Sequence, residues 1–487
     1  MTCRSRRTFL KQTAALGATV ALPYLVPATA FGANDAINVA VAGINGRGQS
    51  HIDAYAAMKD CRVTYLVDPD SRLFARKAAA VEKKTGHKPV CVQDLRKALQ
   101  DKELDVVSIA SCNHWHSLLA IWSCQAGKDV YVEKPCSHRV FEGRKLVEAA
   151  RKYKRIVQHG TQSRSTDKVA AAVGAAQSGK YGKLLLAKGY CCKVRWTIGF
   201  KPVKDPPPEL DFDLWLGPAP KQPYHENLVH YNWHWFWDTG NGDMGNQGVH
   251  EMDVCRWVLG KTLPKSVVSL GCRYVNEKDY VDQGQTPNFE LSVFDFDGVP
   301  LVFETRGLTG KKQNGKDQFP IKVGWEFYFE EGTIVGSAGG AKFLPKGKDK
   351  LEDLVKTDKT VRPNGPFGNF VDAVRSRKPE DLNAEILEGH LSATLCHLGN
   401  ISYRLGKPVP FGQKPTDFPE LTQVQDSFAA IQTNLKGALG MDLTKHTYQL
   451  GPKLQFDAEA EKFIGCPAAD AMLTRKPRPP YAVPEVV

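Results

Sequence analysis

A chain of 487 residues exceeds one ordinary hydrophobic core, so two domains are expected. Its 42% apolar, 24% charged and 9% aromatic content is that of a globular protein and excludes a disordered or collagen-like chain. The net charge of +12 is spread along the sequence after an opening cluster of Arg4, Arg6, Arg7 and Lys11, so no basic stripe calls for nucleic acid as a partner.

Residues 1–33 read as a twin-arginine signal peptide. Arg6 and Arg7 are followed by Phe9, Leu10 and Lys11, a short apolar stretch, and small residues before Phe31. Pro23 and Pro27 interrupt the apolar stretch before it reaches the roughly 20 residues of a lasting membrane span. The expected location is therefore periplasmic, reached after folding and through the twin-arginine export machinery. The twelve cysteines are scattered, mostly inside apolar runs, with no CxxC pair. Buried thiols are expected, and adjacent Cys191 and Cys192 point to opposite faces of a strand.

From Ile37 onward, apolar β-branched runs alternate with helical patterns. The runs are INVAVAG, RVTYLV, KPVCV, LDVVSIA, DVYVE and RIVQHG. Such strands, separated by helices, imply a doubly wound parallel sheet covered on both faces, here over residues 34–160. The first turn, VAGINGRGQSH, places Gly43, Asn45 and Gly48 at the three positions of the dinucleotide fingerprint. The middle glycine is replaced by asparagine, which tolerates the left-handed conformation. Gly46 beside it is free to take over the close approach to a pyrophosphate, with Arg47 next in line. Asp68 ends the second strand 20 residues after Gly48, where a carboxylate accepts both ribose hydroxyls and repels a 2′-phosphate. NAD is favoured over NADP, although Arg72 lies nearby.

Three later segments narrow the reading: SCNHWHSLLA after the fourth strand, VEKPCS after the fifth, and WFWDTGNGDMGNQGVHEMDVCRWVLG. Together with the glycine turn and the C-terminal GNFVDAVRSRK and SATLCHLGNISYRLGK, they resemble the Gfo/Idh/MocA oxidoreductases from about Ile37 to Phe411. The resemblance implies a Rossmann domain followed by an α/β domain with a large open, mostly antiparallel sheet. It also implies an enzyme acting on CH–OH groups with a nicotinamide cofactor, and a sugar or cyclitol substrate. Alternating runs around Asp297–Gly298 and Glu331–Gly332 support the antiparallel sheet independently, as hairpins within 161–411. Helices near 366–377 and 384–405 are expected to pack back on the earlier domains. Residues 412–487, rich in proline, fall outside the likeness and read as an irregular extension. A homo-oligomer is expected because an open sheet needs cover.

Lys134 is the leading catalytic candidate. Near a nicotinamide cation and away from water its pKa should fall, so that it can take a hydroxyl proton as hydride leaves the same carbon. The resemblance gives it this role, and Pro135 keeps it out of helical geometry. His250 is the second candidate. The related pattern is Asp-x-Gly-x-His-x-x-Asp; here Gly248, His250 and Asp253 are kept but Asn246 replaces the first carboxylate, which removes a charge. Asp243 reads as a helix cap or a relocated carboxylate, with the cap favoured. Asn113, His116 and Glu133 are expected at the cofactor. Trp115, His230, Trp233, Asn246 and Asp253 are expected at the substrate. Aromatic walls and histidines between Tyr224 and Gly242 suit sugar rings and hydroxyls. His225, His230, His234 and His250 lack tight metal-ligand spacing, so no metal is assigned.

Two activities remain open. One is NAD-dependent oxidation of a secondary hydroxyl or reduction of the ketone. The other is glycoside cleavage through transient sugar oxidation on a recycled, resident NAD. A non-enzymatic sugar or NAD sensor is disfavoured by the intact Glu133-Lys134-Pro135.

Overall fold

The structure is a computed structural model that describes residues 36–275, 280–310, 312–313, 316–317 and 319–487. The signal expected over 1–33 lies outside them. The first sheet is built from β1 (Ile37–Ala42), β2 (Cys61–Val67), β3 (Val90–Val92), β4 (Val106–Ile109), β5 (Asp129–Glu133) and β6 (Val157–Gly160). Their order is β3-β2-β1-β4-β5-β6, and every pairing is parallel. Parallel strands need crossover helices. These are α1 (Arg47–Ala57), α2 (Phe74–Thr85), α3 (Asn113–Gln125) and α4 (Val140–Lys152). With both faces covered, β4 and β5 are buried along their whole length, which is why they read as unbroken apolar runs. The chain reverses direction across the sheet between β1 and β4, and the strand ends there form the crevice in which such folds bind ligands.

After α5 (Asp167–Gln177) the chain enters a second sheet of eleven strands. Its main strands are β7 (Leu184–Cys192), β8 (Ser266–Cys272), β9 (Phe289–Phe296), β10 (Val299–Arg306), β11 (Lys322–Phe329), β12 (Gly332–Ser337) and β13 (Gly340–Pro345). All neighbours pair antiparallel except β7 with β10. The β9–β10 hairpin turns at Asp297 and Gly298, whose φ values of 58° and 85° are those its two-residue turn requires. The next hairpin turns at Glu330–Glu331, one residue before the pair read from sequence, because Gly332 already pairs with Phe329.

Side-chain alternation divides this sheet's cover in two. Phe294, Leu301, Phe303 and Phe327 face α7 (Val249–Leu259) and α9 (Ile386–Arg404). Leu270, Leu291, Val293 and Val302 face the other way, onto α10 (Thr422–Leu439). Another helix, α8 (Gly365–Ser376), lays Phe370 and Val374 on the first sheet.

The expectation of an irregular extension after residue 412 is corrected here. Helix α10 places Val424, Ile431 and Leu435 on the outer sheet face, while β14 (Lys407–Pro410), β15 (Thr447–Leu450) and β16 (Leu454–Asp457) lengthen the sheet beside β8. A face reasoned to need a partner subunit is covered beneath α10 by the chain itself. All described cysteines are free thiols, and no described helix is long and apolar enough to cross a membrane.

Candidate active site

A cleft of about 320 Å³ lies over the C-terminal ends of β1, β2, β4 and β5. Its floor holds Gly43, Asn45, Gly46 and Arg47 from the first turn, Asp68 after β2, Asn113, Trp115 and His116 from α3, and Glu133 and Lys134 after β5. Gly43 has φ 81° and passes so close to the end of β4 that a Cβ would lie 2.6 Å from the Ala110 carbonyl carbon. Gly48 does not line the cleft. A Cβ there would lie 1.8 Å from the Gly43 carbonyl oxygen, so its part is to let α1 pack on the turn. Gly46 faces open space, as a position approached by a ligand should. The Gly48 and Gln49 amides turn back onto Asn45 O and Gly46 O, so Asn45, Gly46 and Arg47, which line the cleft at the start of α1, are the residues placed to meet a pyrophosphate.

Asp68 accepts the backbone amides of Ile44 and Asp70, both at 3.0 Å. Burial raises its pKa to about 6 against the pull of those two hydrogen bonds. Arg72 is taken up by Asp70, donating from Nε at 2.7 Å, and does not line the cleft. The cation that could have accepted a 2′-phosphate is thus already paired. Glu133 accepts from Arg47 Nε at 2.7 Å and faces His51 Nε2 at 3.3 Å. Burial alone would raise its pKa, but His51, Arg47 and Lys134 hold it well below the ordinary carboxylate value.

Lys134 donates from Nζ to the backbone carbonyl of Asn246 at 2.5 Å. Burial lowers its pKa, opposed by the charge of Glu133 and reinforced by Arg47. Asn246 lines the cleft, and its side-chain amide has no partner among the described residues. It sits in a π turn, Met244–Gly248, that leads into α7. His250 follows four residues later, partly buried and outside the cleft lining, with no hydrogen bond to a described residue. Burial, then the charge of Lys134, lowers its pKa to about 3, so it is a neutral imidazole.

Several expected contacts are placed differently. Asp253 is fully buried and outside the cleft lining, accepting Arg164 Nε at 2.9 Å and Ser392 Oγ at 2.6 Å, and it ties α7 to neighbouring elements. Asp243 stands before the π turn without capping it; its carboxylate takes Arg195 at 2.7 Å. His116 lines the cleft, yet both ring nitrogens lie against carbonyls, Pro135 at 2.6 Å and Ser111 at 2.9 Å, leaving neither free for a ligand. His230 reaches Asp70 at 2.9 Å, at the β2 rim. Trp233 lines the cleft and stacks on His234 with centroids 3.6 Å apart.

The roof comes from sequence far from the floor. Leu214 and Trp215 belong to α6 (Phe212–Leu216), and His230, Tyr231, Trp233 and His234 to a later segment that holds a 3₁₀ turn, Asn232–Trp235. The roof is fastened to the β2 and β3 rim. Ser71 N donates to Glu209 O at 3.1 Å, Asp211 N to Pro69 O at 3.0 Å, and Gln93 Nε2 to Glu209 O at 3.1 Å. Sequence reasoning missed Leu214 and Trp215 as site residues, since neither carries a motif, whereas Tyr231 and His234 fall in the aromatic and histidine segment read as a sugar wall.

Comparison with known proteins agrees with this geometry. Residues 37–161 match the oxidoreductase family's NAD-binding Rossmann fold, and residues 182–278 match its C-terminal α/β domain. These two stretches are similar to the two domains of the Gfo/Idh/MocA oxidoreductases. A levoglucosan dehydrogenase of Pseudarthrobacter phenanthrenivorans is 24% identical over 229 residues, 46% of this chain and 52% of that protein. A glycosyl hydrolase family 109 protein of a Shewanella species is 23% identical over 169 residues, 34% of this chain and 37% of that protein. The matches thus span about half or less of these relatives. Among solved structures, the WlbA dehydrogenase of Bordetella pertussis in complex with NADH and UDP-GlcNAcA superposes with a TM-score of 0.54 at 18% identity, covering 76% of this chain and 97% of that one. Levoglucosan dehydrogenase with NADH gives 0.52 at 18% identity, covering 75% and 96%. At that identity the likeness is one of fold.

Proposed function

We propose that this chain is an NAD-dependent oxidoreductase acting on a CH–OH group, with a secondary hydroxyl or ketone of a sugar or cyclitol as substrate. The observation that carries this reading is Lys134: a half-buried amine at the cleft floor, lowered in pKa and held by the Asn246 carbonyl beside an amide with no partner among the described residues. Bound NAD supplies the hydride acceptor. Lys134 in its neutral form takes the hydroxyl proton as the carbon gives up hydride, and returns it in the reverse direction. The Asn246 amide offers two N–H donors and an accepting oxygen to neighbouring hydroxyls, and His250 offers one donor and one acceptor as a neutral imidazole. Asp68 holds the ribose, and Gly43–Arg47 with the start of α1 hold the phosphates. The test is reduced-cofactor absorbance across a panel of sugars and cyclitols, with wild type and Lys134→Ala. Turnover confined to wild type is expected, and equal turnover overturns the role.

A second reading is glycoside cleavage with transient oxidation of the sugar and a cofactor that stays bound. It is favoured by the roof, whose fastenings to the β2 and β3 rim enclose the cleft. Mass spectrometry of gently denatured protein separates the two readings: stoichiometric released NAD, with glycoside cleavage and no net NADH, supports the second.

Residues 1–33 are proposed to direct twin-arginine export to the periplasm, tested by export of a reporter fusion in cells with and without that machinery. An export pathway for folded chains suits an enzyme that carries its cofactor along. Homo-oligomerisation stays a proposal for surfaces outside the area beneath α10, tested by light scattering in solution.

A further inference from the structure

We propose that the C-terminal tail clamps the roof of the cofactor cleft, with Arg478 and Tyr481 as positioning residues that slow departure of the dinucleotide. The proposal rests on the cleft being the NAD site. Helix α6 has five residues, too few to hold a conformation alone, and its C-terminus is closed on itself by the Gly217 amide donating to Asp213 O at 3.0 Å. Arg478 supplies partners from the tail side. Its Nη2 donates to the Asp213 carbonyl and its Nη1 to the Asp213 carboxylate, both at 2.8 Å, and its Nε donates to the Gly217 carbonyl. Guanidinium groups satisfy helix C-termini well, since they bring both donors and positive charge.

Trp115 supplies partners from the floor side. Its Nε1 donates to Leu214 O at 3.1 Å and Trp215 O at 3.0 Å. Gly217 presses on the same ring, where a Cβ would lie 2.1 Å from the indole. That indole also meets Tyr481 edge-on, with centroids 5.5 Å apart. Arg478 in turn covers Tyr481 at 4.8 Å, and Arg96 covers both Tyr481 and Trp122 at 5.4 and 5.3 Å. The tail is anchored on either side of these residues by Arg475 with Glu142 at 2.6 Å and by Lys152 with the Val487 carbonyl. Trp115, Trp122, Leu214 and Trp215 all line the cleft. Tail, roof helix and cleft wall therefore form one packed unit, and opening the roof requires breaking the Arg478 contacts.

The experiment measures dinucleotide release as NADH dissociation, by stopped-flow fluorescence of prebound NADH displaced by excess NAD, in wild type, Arg478→Ala, Arg478→Lys and Tyr481→Leu. Loss of charge-assisted hydrogen bonds is expected to speed release by about tenfold or more in Arg478→Ala. Arg478→Lys should fall between it and wild type, and Tyr481→Leu should also release faster. KM for NAD should rise while kcat at saturating cofactor stays within about twofold of wild type, a split that general destabilisation would not produce. Unchanged release in Arg478→Lys and Tyr481→Leu, both folded by thermal melting, overturns the proposal. Failure of wild type to bind NAD overturns the site itself, and the two failures are distinguishable.

Discussion

The floor and the roof of the cleft are built on different terms. On the floor and the rim beside it the carboxylates are already paired within the protein: Glu133 with Arg47 and His51, Asp70 on the rim with Arg72, and Asp68 with two backbone amides. Toward the substrate side, the Asn246 amide and the His250 ring have no described partner. A paired floor is preorganised for one cofactor, whereas unpaired groups await hydroxyls that a substrate brings. The lesson is that a buried polar group at a site is read by its partners: Asp253 is as buried as any catalytic residue, yet Arg164 and Ser392 take its oxygens.

Substitutions can break or sharpen that contrast. The largest effect belongs to Lys134→Ala, expected to lower kcat by about 10²- to 10⁴-fold with NAD still bound, measured by turnover and by cofactor titration. Next, Asp253→Ala removes the buried partner of Arg164, leaving it only the more exposed Glu388 at 3.0 Å, and should cost about 3 kcal/mol of stability, read from denaturant melts. Its kcat per folded molecule should stay near wild type, and a large loss would return Asp253 to the substrate. Asp68→Ala should weaken NAD binding by about 1.5–3 kcal/mol by calorimetry while leaving NADP binding less affected. The smallest effect is expected for Asn246→Asp. A carboxylate beside Lys134 favours the ammonium, so the alkaline rise in kcat/KM should move to higher pH. A pH profile identical to wild type would place Asn246 away from Lys134's electrostatic reach.

The floor was legible in the sequence because each of its parts is local. A strand, a glycine turn and a helix start carry the phosphate site within about a dozen residues, and DVYVEKP carries both Glu133 and Lys134. The roof was not legible. Leu214 and Trp215 meet Trp115 across about a hundred residues of sequence, and Arg478 meets Asp213 from still farther. No periodicity records such contacts. Helix α10 was a different case. Val424, Phe428, Ile431 and Leu435 recur at helical spacing, but the prolines around them drew the reading toward an irregular tail. Asp243 shows the limit of local rules: it holds a cap position, and Arg195 outcompetes the cap for its carboxylate.

The most direct test of the account is the pH dependence of single-turnover hydride transfer to bound NAD, followed by reduced-cofactor fluorescence, because it reads the same step whether or not the cofactor is later recycled. Burial lowers the Lys134 pKa, so its base form is lost as pH falls through that value. The rate should therefore rise with pH and level off below the ordinary lysine pKa of about 10.4. In Lys134→Ala that rise should vanish along with most of the rate. An undiminished rate with the same pH profile in Lys134→Ala would contradict the assignment of Lys134 as the base.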